Sequence, residues 1–286
     1  MSDHLKGLLI TFAGVMVLSP DTLLIRWLEM DQWALLVYRG VLMALGMALL
    51  TRMFDAAPIK QQFMQTGKPG LLSAVCFTIS TIAFVTAVHY TTIAHTLVIV
   101  ATSPLFAAFF SRVFLGERMK LHTLLAIVFV LLGMVFVVGQ KSAGSHWVGN
   151  VSALVSAMSI AATFVINRKN KHINMVPAIS LSGVFTALVA APFAVWQPLD
   201  SHIIILLLLM GLVLTIAFTL ITLGPRYIPA AEVSLILPLE TVGGTALAWW
   251  FLSETPTLKT LIGAGIILLT LMVHGYFVLK APKSRT

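Results

Sequence analysis

Three ionisable side chains, Asp21, Arg39 and Glu240, lie inside long apolar runs of this sequence. A charged side chain at the centre of a bilayer costs about 3 kcal/mol or more unless it is paired or hydrated. If these runs cross a membrane, each of the three residues is therefore a candidate for recognising an ionic group or for exchanging a proton.

Asp21 and Arg39 are expected to lie at similar depth. Asp21 follows Pro20 in the first apolar run, where the missing proline N–H predicts a kink. Each residue stands about nine positions from a loop centre near residue 30, so an antiparallel helix pair brings them together. We expect an ion pair, which either locks the two helices together or serves as a site for a substrate or a proton.

Glu240 shares a helix face with small residues. Gly244 and Ala248 follow it at four-residue spacing, and Pro238 precedes it in the same run. Small faces in membrane helices point towards neighbouring helices, so Glu240 is expected to point into the bundle. It is interpreted either as a group that recognises the substrate or exchanges a proton, or as a structural acid held by hydrogen bonds.

Hydroxyl and imidazole side chains near these residues extend the candidate site. A threonine or serine in lipid bonds back to its own helix or lines a polar path, and a histidine near a cavity mouth either titrates or simply anchors the interface. Thr219 belongs to a threonine face that either lines a cavity or bonds across helices. The full set of candidate substrate-binding or translocation residues is Asp21, Arg39, Thr81, His89, Tyr90, His95, Ser103, Thr219 and Glu240.

The composition requires a membrane environment. Hydrophobic residues make up 59% of the 286 residues and charged residues 10%, against about 25% charged in an average soluble domain. The apolar runs are long enough to cross about 30 Å of hydrocarbon as helices, and lipid leaves no backbone amide without an internal partner. The predicted fold is an all-α integral membrane protein with ten spans, at about 7–27, 32–53, 69–89, 92–114, 121–139, 147–167, 176–196, 202–224, 230–252 and 257–279.

The positive charges predict the orientation. The chain has a formal net charge of +8, and most of its lysines and arginines fall on one side of the ten spans if the N-terminus is cytoplasmic. The positive-inside rule then places both termini in the cytoplasm. We interpret these basic loops as topology determinants beside anionic lipid and expect no nucleic-acid partner.

Two related halves follow from an internal repeat. The stretch from Tyr90 to Glu117 reappears, altered, from Tyr227 to Glu254. Each half has five spans, an odd number, so the second copy is expected to be inverted, an arrangement typical of transporters that alternate between inward- and outward-facing states. The predicted organisation is a first five-helix repeat at 1–140, a linker at 141–148, a second repeat at 149–280 and a cytoplasmic tail at 281–286.

Catalysis is not expected. The chain has one cysteine, Cys76, no spacing typical of a zinc or iron–sulfur site, and no recognisable nucleophile with its base. We predict no cofactor. The activity is expected to need at most coupling to a proton or to an exchanged substrate. The expected partners are a small-molecule substrate and the lipid bilayer, with the protein a monomer or a homodimer.

The ordered motifs resemble the drug/metabolite transporter superfamily, in its EamA-domain branch of ten-span carriers. The resemblance covers essentially the whole chain. The matching features are Arg39, Tyr90, Pro104, Phe114-Leu115-Gly116-Glu117-Arg118, the stretch from Gly149 to Arg168, Tyr227 to Val233, Pro238-Leu239-Glu240 and Leu252-Ser253-Glu254. Two departures are Glu240-Thr241, where the family usually has an acid followed by proline, and Ser19-Pro20-Asp21 in place of a tryptophan-glycine-serine-like stretch.

The resemblance implies two inverted five-helix repeats around a cavity lined mainly by spans three, four, eight and nine. It further implies a secondary transporter in a bacterial inner membrane. We expect it to move a small polar or amphipathic metabolite, amino-acid-like or organic-acid-like, by alternating access and in the direction of export. The alternatives are a broad-specificity multidrug exporter and a passive channel.

Overall fold

A computed structural model describes residues 3–54, 58–91, 93–117, 120–138, 147–252 and 258–280, and within them the regular structure is entirely helical. The predicted linker and tail lie largely or wholly outside the described residues. The helices of the first half are α1 (Asp3–Leu18), α2 (Asp21–Leu28), α3 (Gln32–Phe54), α4 (Ile59–Tyr90), α5 (Ile93–Val100), α6 (Ser103–Leu115) and α7 (Leu121–Val138). Those of the second half are α8 (Trp147–Lys169), α9 (Val176–Ala190), α10 (Ser201–Leu223), α11 (Ala230–Ile236), α12 (Leu239–Leu252) and α13 (Leu258–Lys280).

Six segments of the described chain are long and apolar enough to cross a bilayer, which makes this a multi-pass membrane protein. They are Asp3–Ile25, Gln32–Met53, Lys60–Tyr90, Trp147–Lys169, Val176–Phe193 and Ser201–Arg226. Three more helical stretches, Ser103–Leu115, Leu121–Val135 and Leu261–His274, are apolar but shorter.

Three predicted spans are broken near a proline. The breaks separate α1 from α2 at Ser19–Pro20, α5 from α6 at Ala101–Thr102, and α11 from α12 at Leu237–Pro238. A proline lacks the N–H that would continue the helical hydrogen bonds, and its ring clashes with the preceding turn. The kink expected at Pro20 is thus present as a helix break, and a similar break occurs at Pro238.

One connection contains a helix, and one predicted boundary is wrong. The polar segment from Asp55 to Lys68, interpreted as a connection with one amphipathic turn, is helical from Ile59, and this helix bends at Gly67, whose φ of 55° and ψ of −153° suit only glycine. The seventh span was expected to continue to residue 196, but α9 ends at Ala190 and passes into a short 3-10 turn at Ala191–Phe193. Pro192 in that turn cannot donate the next helical hydrogen bond.

Two glycines let α3 and α9 of the two halves pack backbone to backbone. A Cβ atom added to Gly40 would lie 2.5 Å from the carbonyl oxygen of Gly183, and one added to Gly183 would lie 2.5 Å from the carbonyl oxygen of Gly40. Ser180 donates a hydrogen bond of 2.8 Å to the carbonyl of Ala44 beside this contact. Gly40 and Ala44, four residues apart on α3, therefore belong to a packing surface of small residues.

Hydroxyl groups join α4 to the second half. Ser80 and Ser156 each donate to the other's backbone carbonyl, at 3.2 and 3.0 Å. Thr78 lies within 3.1 Å of the carbonyl of Ser182 on α9, and Ser73 donates to the Asn167 side chain at 2.7 Å. Hydrogen bonds of this kind stabilise helix pairs in lipid by roughly 1 kcal/mol each, so α4 is fixed against both α8 and α9.

Asp31 caps the N-terminus of α3 outside the membrane-spanning segment. Its Oδ2 accepts hydrogen bonds from the backbone N–H of Trp33 and Ala34, at 3.1 and 3.0 Å, and from that of Val195 at 3.2 Å. Burial alone would raise the pKa of Asp31, but the bonds from Ala34, Val195 and Trp33 outweigh it and hold the pKa below its usual value. The carboxylate thus joins the start of α3 to the segment after α9.

We expect Asp31→Ala to lower the free energy of unfolding by about 1 kcal/mol, because two N–H groups at the start of α3 lose their acceptor. Asp31→Asn keeps an acceptor oxygen and is the control, with a smaller loss. Since the folded pKa is depressed, the ionised Asp31 stabilises the protein above the ordinary aspartate pKa, and this contribution disappears as the pH falls through the folded value. Denaturant titrations in detergent, followed by tryptophan fluorescence, give the free energy of unfolding of the wild type and of both variants. Equal stability of Asp31→Ala and the wild type would contradict the assignment.

Candidate functional site

The centre of the bundle contains a buried, bidentate ion pair between Asp21 and Arg39. Arg39 Nη1 donates to Asp21 Oδ1 at 2.6 Å and Nη2 donates to Oδ2 at 2.8 Å. Asp21 is 2% exposed and Arg39 5%. The pair predicted from the depth of the two residues is therefore present, and its geometry is that of the strong fork-shaped contacts between guanidinium and carboxylate.

Both residues owe their positions to helix starts and breaks. Asp21 is the first residue of α2, directly after the break at Pro20. Arg39 lies two turns into α3, and its Nη1 also lies 3.6 Å from Met210 Sδ on α10. Arg39 Nε is buried and makes no hydrogen bond to the described residues. The Nε–H of the guanidinium therefore remains as a buried donor that Asp21 does not use.

Glu240 is a second carboxylate beside this pair. It lies near the start of α12, just after the break at Pro238, and lines the same cavity as Asp21 and Arg39. Within the described chain no lysine, arginine or histidine forms an ion pair with it. Asp21 already neutralises Arg39, so Glu240 is left with no cationic partner of its own in this part of the chain.

The cavity between the halves has a volume of about 80 Å³. Its polar lining comprises the two carboxylates, Arg39 and three hydroxyl residues, and the rest is apolar with four phenylalanines. The lining residues are Leu18, Asp21, Arg39, Phe77, Ser80, Thr81, Phe84, Val100, Ser156, Ile160, Phe164, Phe218, Leu237 and Glu240. Both halves of the chain contribute, and Phe77 and Phe218 meet edge to face across it with ring centroids 4.9 Å apart.

Four of the nine candidate residues meet in this cavity: Asp21, Arg39, Thr81 and Glu240. The other described candidates do not line it. His89 and Tyr90 are exposed at the end of α4, with their rings edge to face at 5.2 Å. Ser103 is fully buried and Thr219 half-buried. The side chain of His95 lies outside the described residues.

The sequence analysis missed the aromatic wall and Ser156. A signal was available on α4, because Phe77, Ser80, Thr81 and Phe84 follow the spacing of one helix face. Thr81 had been singled out for its hydroxyl alone. Phenylalanine is common in apolar helices, so its presence alone does not identify a cavity wall. Only helix packing determines whether the face that carries it lines a cavity or contacts lipid.

A second cavity of about 420 Å³ opens at the opposite end of the bundle from His89. It lies near the N-terminus of α1 and the C-termini of α6 and α8. Two ion pairs border it: Arg168 Nε lies 3.2 Å from Glu117 Oε1, and His4 Nε2 lies 2.9 Å from Glu232 Oε2. The histidine contact is an ion pair only when His4 is protonated. The lining of this cavity is more polar than that of the central one.

The described residues contain no group of three or more histidine, cysteine, aspartate or glutamate side chains that could hold a metal ion. The polar groups that line the central cavity are one guanidinium, two carboxyl groups and three hydroxyls.

Comparison with known proteins agrees with this architecture. The sequence profile of the EamA-like transporter family matches residues 5–139 and again residues 147–275. A protein of Archaeoglobus fulgidus described as an uncharacterized transporter is 25% identical over 213 residues, which cover 72% of this chain and 77% of that protein. One crystal structure shares the fold with a TM-score of 0.82 at 15% identity, covering 96% of this chain and 99% of that one.

Proposed function

Because the chain belongs to the EamA-like transporter family, we propose that it moves a small amphipathic metabolite, amino-acid-like or organic-acid-like, across a bacterial inner membrane by alternating access. The observation that carries this proposal is the central cavity, in which Glu240 faces the Asp21–Arg39 pair between the two halves. Charged groups so deep in a bundle are retained for ligands, protons or partners.

We further propose that the chain crosses the membrane ten times, as two inverted repeats. In this scheme α1–α2, α5–α6 and α11–α12 are broken spans. The packing between halves supports a two-fold relation, because contacts come in matched pairs: α4 packs on α8 as α10 packs on α1, and α4 packs on α9 as α10 packs on α3. Three further contacts join equivalent helices, α3 with α9, α7 with α13, and α6 with α11, whereas the packing of α6 on α8 has only a weaker counterpart between α1 and α11–α12.

The charges suggest how a zwitterionic or anionic substrate is held. An ammonium group of the substrate binds Glu240, which has no cationic partner among the described residues, and a carboxylate approaches Arg39 from the side of its unused Nε donor. Phe77, Phe84 and Phe218 contact the apolar part. When no cationic group is bound, Glu240 takes up a proton, which avoids an unpaired charge in the bundle and couples transport to the proton gradient.

The sizes of the two cavities support alternating access. The central cavity of about 80 Å³ is far below the roughly 300 Å³ of a typical ligand pocket, so the halves have to separate to admit a metabolite. The polar cavity of about 420 Å³ is the proposed inner mouth of the path. With both termini cytoplasmic, as the basic residues predict, this mouth faces the cytoplasm and receives the substrate for export.

A second candidate function is export of lipophilic cations. It is favoured by the four phenylalanines of the cavity wall together with two carboxylates against one guanidinium, since aromatic faces and an excess of negative charge both attract organic cations. In this case the cation binds Glu240 between the aromatic rings and the Asp21–Arg39 pair serves only as structure.

Proteoliposomes distinguish the candidates. A carrier of amino-acid-like substrates should show saturable uptake of labelled amino acids or organic acids and counterflow after preloading with the unlabelled compound. A cation exporter should instead accumulate a quaternary-ammonium dye in response to a pH gradient. A thermal-shift screen of metabolite classes across pH selects the compounds. Flux that neither saturates nor shows counterflow would contradict a carrier and favour a passive channel.

A further inference from the structure

A large cavity in the described chain lies on the lipid-facing side of the bundle and shares no lining residue with the central cavity. It is a cleft of about 610 Å³ between α4 and α6 of the first half and α8 of the second. Its walls are almost entirely apolar and include Leu72, Phe110 and Val165. Leu72 and Phe114 are more than half exposed at its edge, which in a membrane means contact with lipid chains. A volume of this size is typical of ligand pockets.

Polar groups are confined to one end of the cleft. Lys68 on α4 and Lys169, the last residue of α8, both border it and are exposed. No carboxylate in the described part of the chain lies within ion-pair distance of either ammonium group. Asn170 adds an amide at the same end, and its Nδ2 donates to the carbonyl of Ile166 at 2.9 Å. Two ammonium groups therefore lie at the polar end of an otherwise apolar cleft.

The bend at Gly67 fixes Lys68 at this position. Residues 59–66 of α4 turn away at Gly67, and the membrane-crossing part of the helix begins with Lys68 and Pro69. From Lys68 to Cys76 the helix extends about 12 Å, and the α8 wall from Ala162 to Asn170 has the same length. The cleft thus reaches from the level of the two lysines well into one leaflet.

We propose that this cleft binds an anionic phospholipid, with the phosphate between Lys68 and Lys169 and one acyl chain along Leu72, Phe110 and Val165. Charge complementarity selects the ligand: the head group has to be anionic, because two ammonium groups meet there without a carboxylate partner, and the tail has to be a hydrocarbon, because the walls are apolar. A bound lipid contacts both halves of the chain. The site is separate from the central cavity, so the proposal is independent of the identity of the transported substrate.

Native mass spectrometry of the purified protein tests this with phosphatidylglycerol and with phosphatidylcholine of the same acyl chains. The wild type should retain one phosphatidylglycerol in preference to phosphatidylcholine. Lys68→Gln combined with Lys169→Gln should weaken retention by about fivefold for each lysine. Lys60→Gln combined with Lys171→Gln removes the same charge from exposed positions that do not line the cleft and should leave retention unchanged. Ala162→Trp fills the apolar part of the cleft without changing the charge and should abolish the retention of phosphatidylglycerol.

Alkylation of the single cysteine gives a second readout. Cys76 lines the cleft, so phosphatidylglycerol should slow its reaction with N-ethylmaleimide in the wild type and in the Lys60/Lys171 variant, but not in the Lys68/Lys169 variant. Equal retention of the two lipids, equal losses in both double-lysine variants, or full retention by Ala162→Trp would each overturn the assignment. Displacement of the lipid by a water-soluble transported substrate would overturn it as well, since the cleft would then belong to the substrate path.

Discussion

Glu240→Gln is expected to reduce substrate flux at least tenfold while leaving the fold intact. The replacement keeps the size of the side chain but removes the charge that would bind a proton or a cationic group, and a hydrogen bond to a charged group is worth about 1.5–3 kcal/mol. The amide can still accept and donate hydrogen bonds at the start of α12, so the protein should remain folded. Flux into proteoliposomes, measured between pH 5.5 and 8.5, should also lose the pH dependence caused by Glu240.

The control for this experiment is Glu29→Gln. Glu29 is exposed between α2 and α3 and does not line the central cavity, so the same chemical change there should leave flux unaltered. Equal stability of both variants, measured in detergent, separates a loss of function from a loss of structure. If Glu240→Gln transports as fast as the wild type at every pH, Glu240 has no part in the mechanism.

Arg39→Met is expected to destabilise the protein by about 3–5 kcal/mol, because it leaves the Asp21 carboxylate buried without its partner. At 2% exposure, Asp21 cannot recover its hydration by turning to water. Asp21→Leu combined with Arg39→Met removes both charges and should regain most of the lost stability, since well-packed apolar residues replace a buried ion pair at little or no cost. Unfolding in detergent, followed by tryptophan fluorescence, measures both variants.

The double variant also decides what the ion pair does. If Arg39 recognises the substrate, the double variant should be stable but inactive in proteoliposomes. If the pair only locks α2 and α3 together, the double variant should transport at nearly the wild-type rate. A single variant as stable as the wild type would show that the carboxylate finds another partner, contrary to the geometry.

The fold was largely predictable because lipid restricts the choices. Apolar length sufficed to find the six long membrane helices of the described chain, and the equal depth of Asp21 and Arg39 sufficed to predict their ion pair. The position of Pro20 predicted a kink, though not a full helix break. The bend at Gly67 was missed because a glycine beside Lys68 reads equally well as part of a loop.

The site was only partly predictable. Asp21, Arg39 and Glu240 could be recognised because ionisable groups are rare and costly in lipid. The phenylalanines and Ser156 could not, because their types are common in membrane helices and their role depends on which face of α4 and α8 turns inward. For the same reason Ser103 and Thr219 were indistinguishable from hydroxyls that line the central cavity, although neither lines it.

The contact between Gly40 and Gly183 limits how far the two halves can diverge. Each backbone carbonyl occupies the space that a methyl group on the other residue would need. If one of these glycines is replaced by a larger residue, the other cannot be replaced by a smaller one to make room, because glycine has no side chain. Mutations elsewhere in either half can be compensated across the interface, whereas these two positions depend on each other and are expected to stay glycine together.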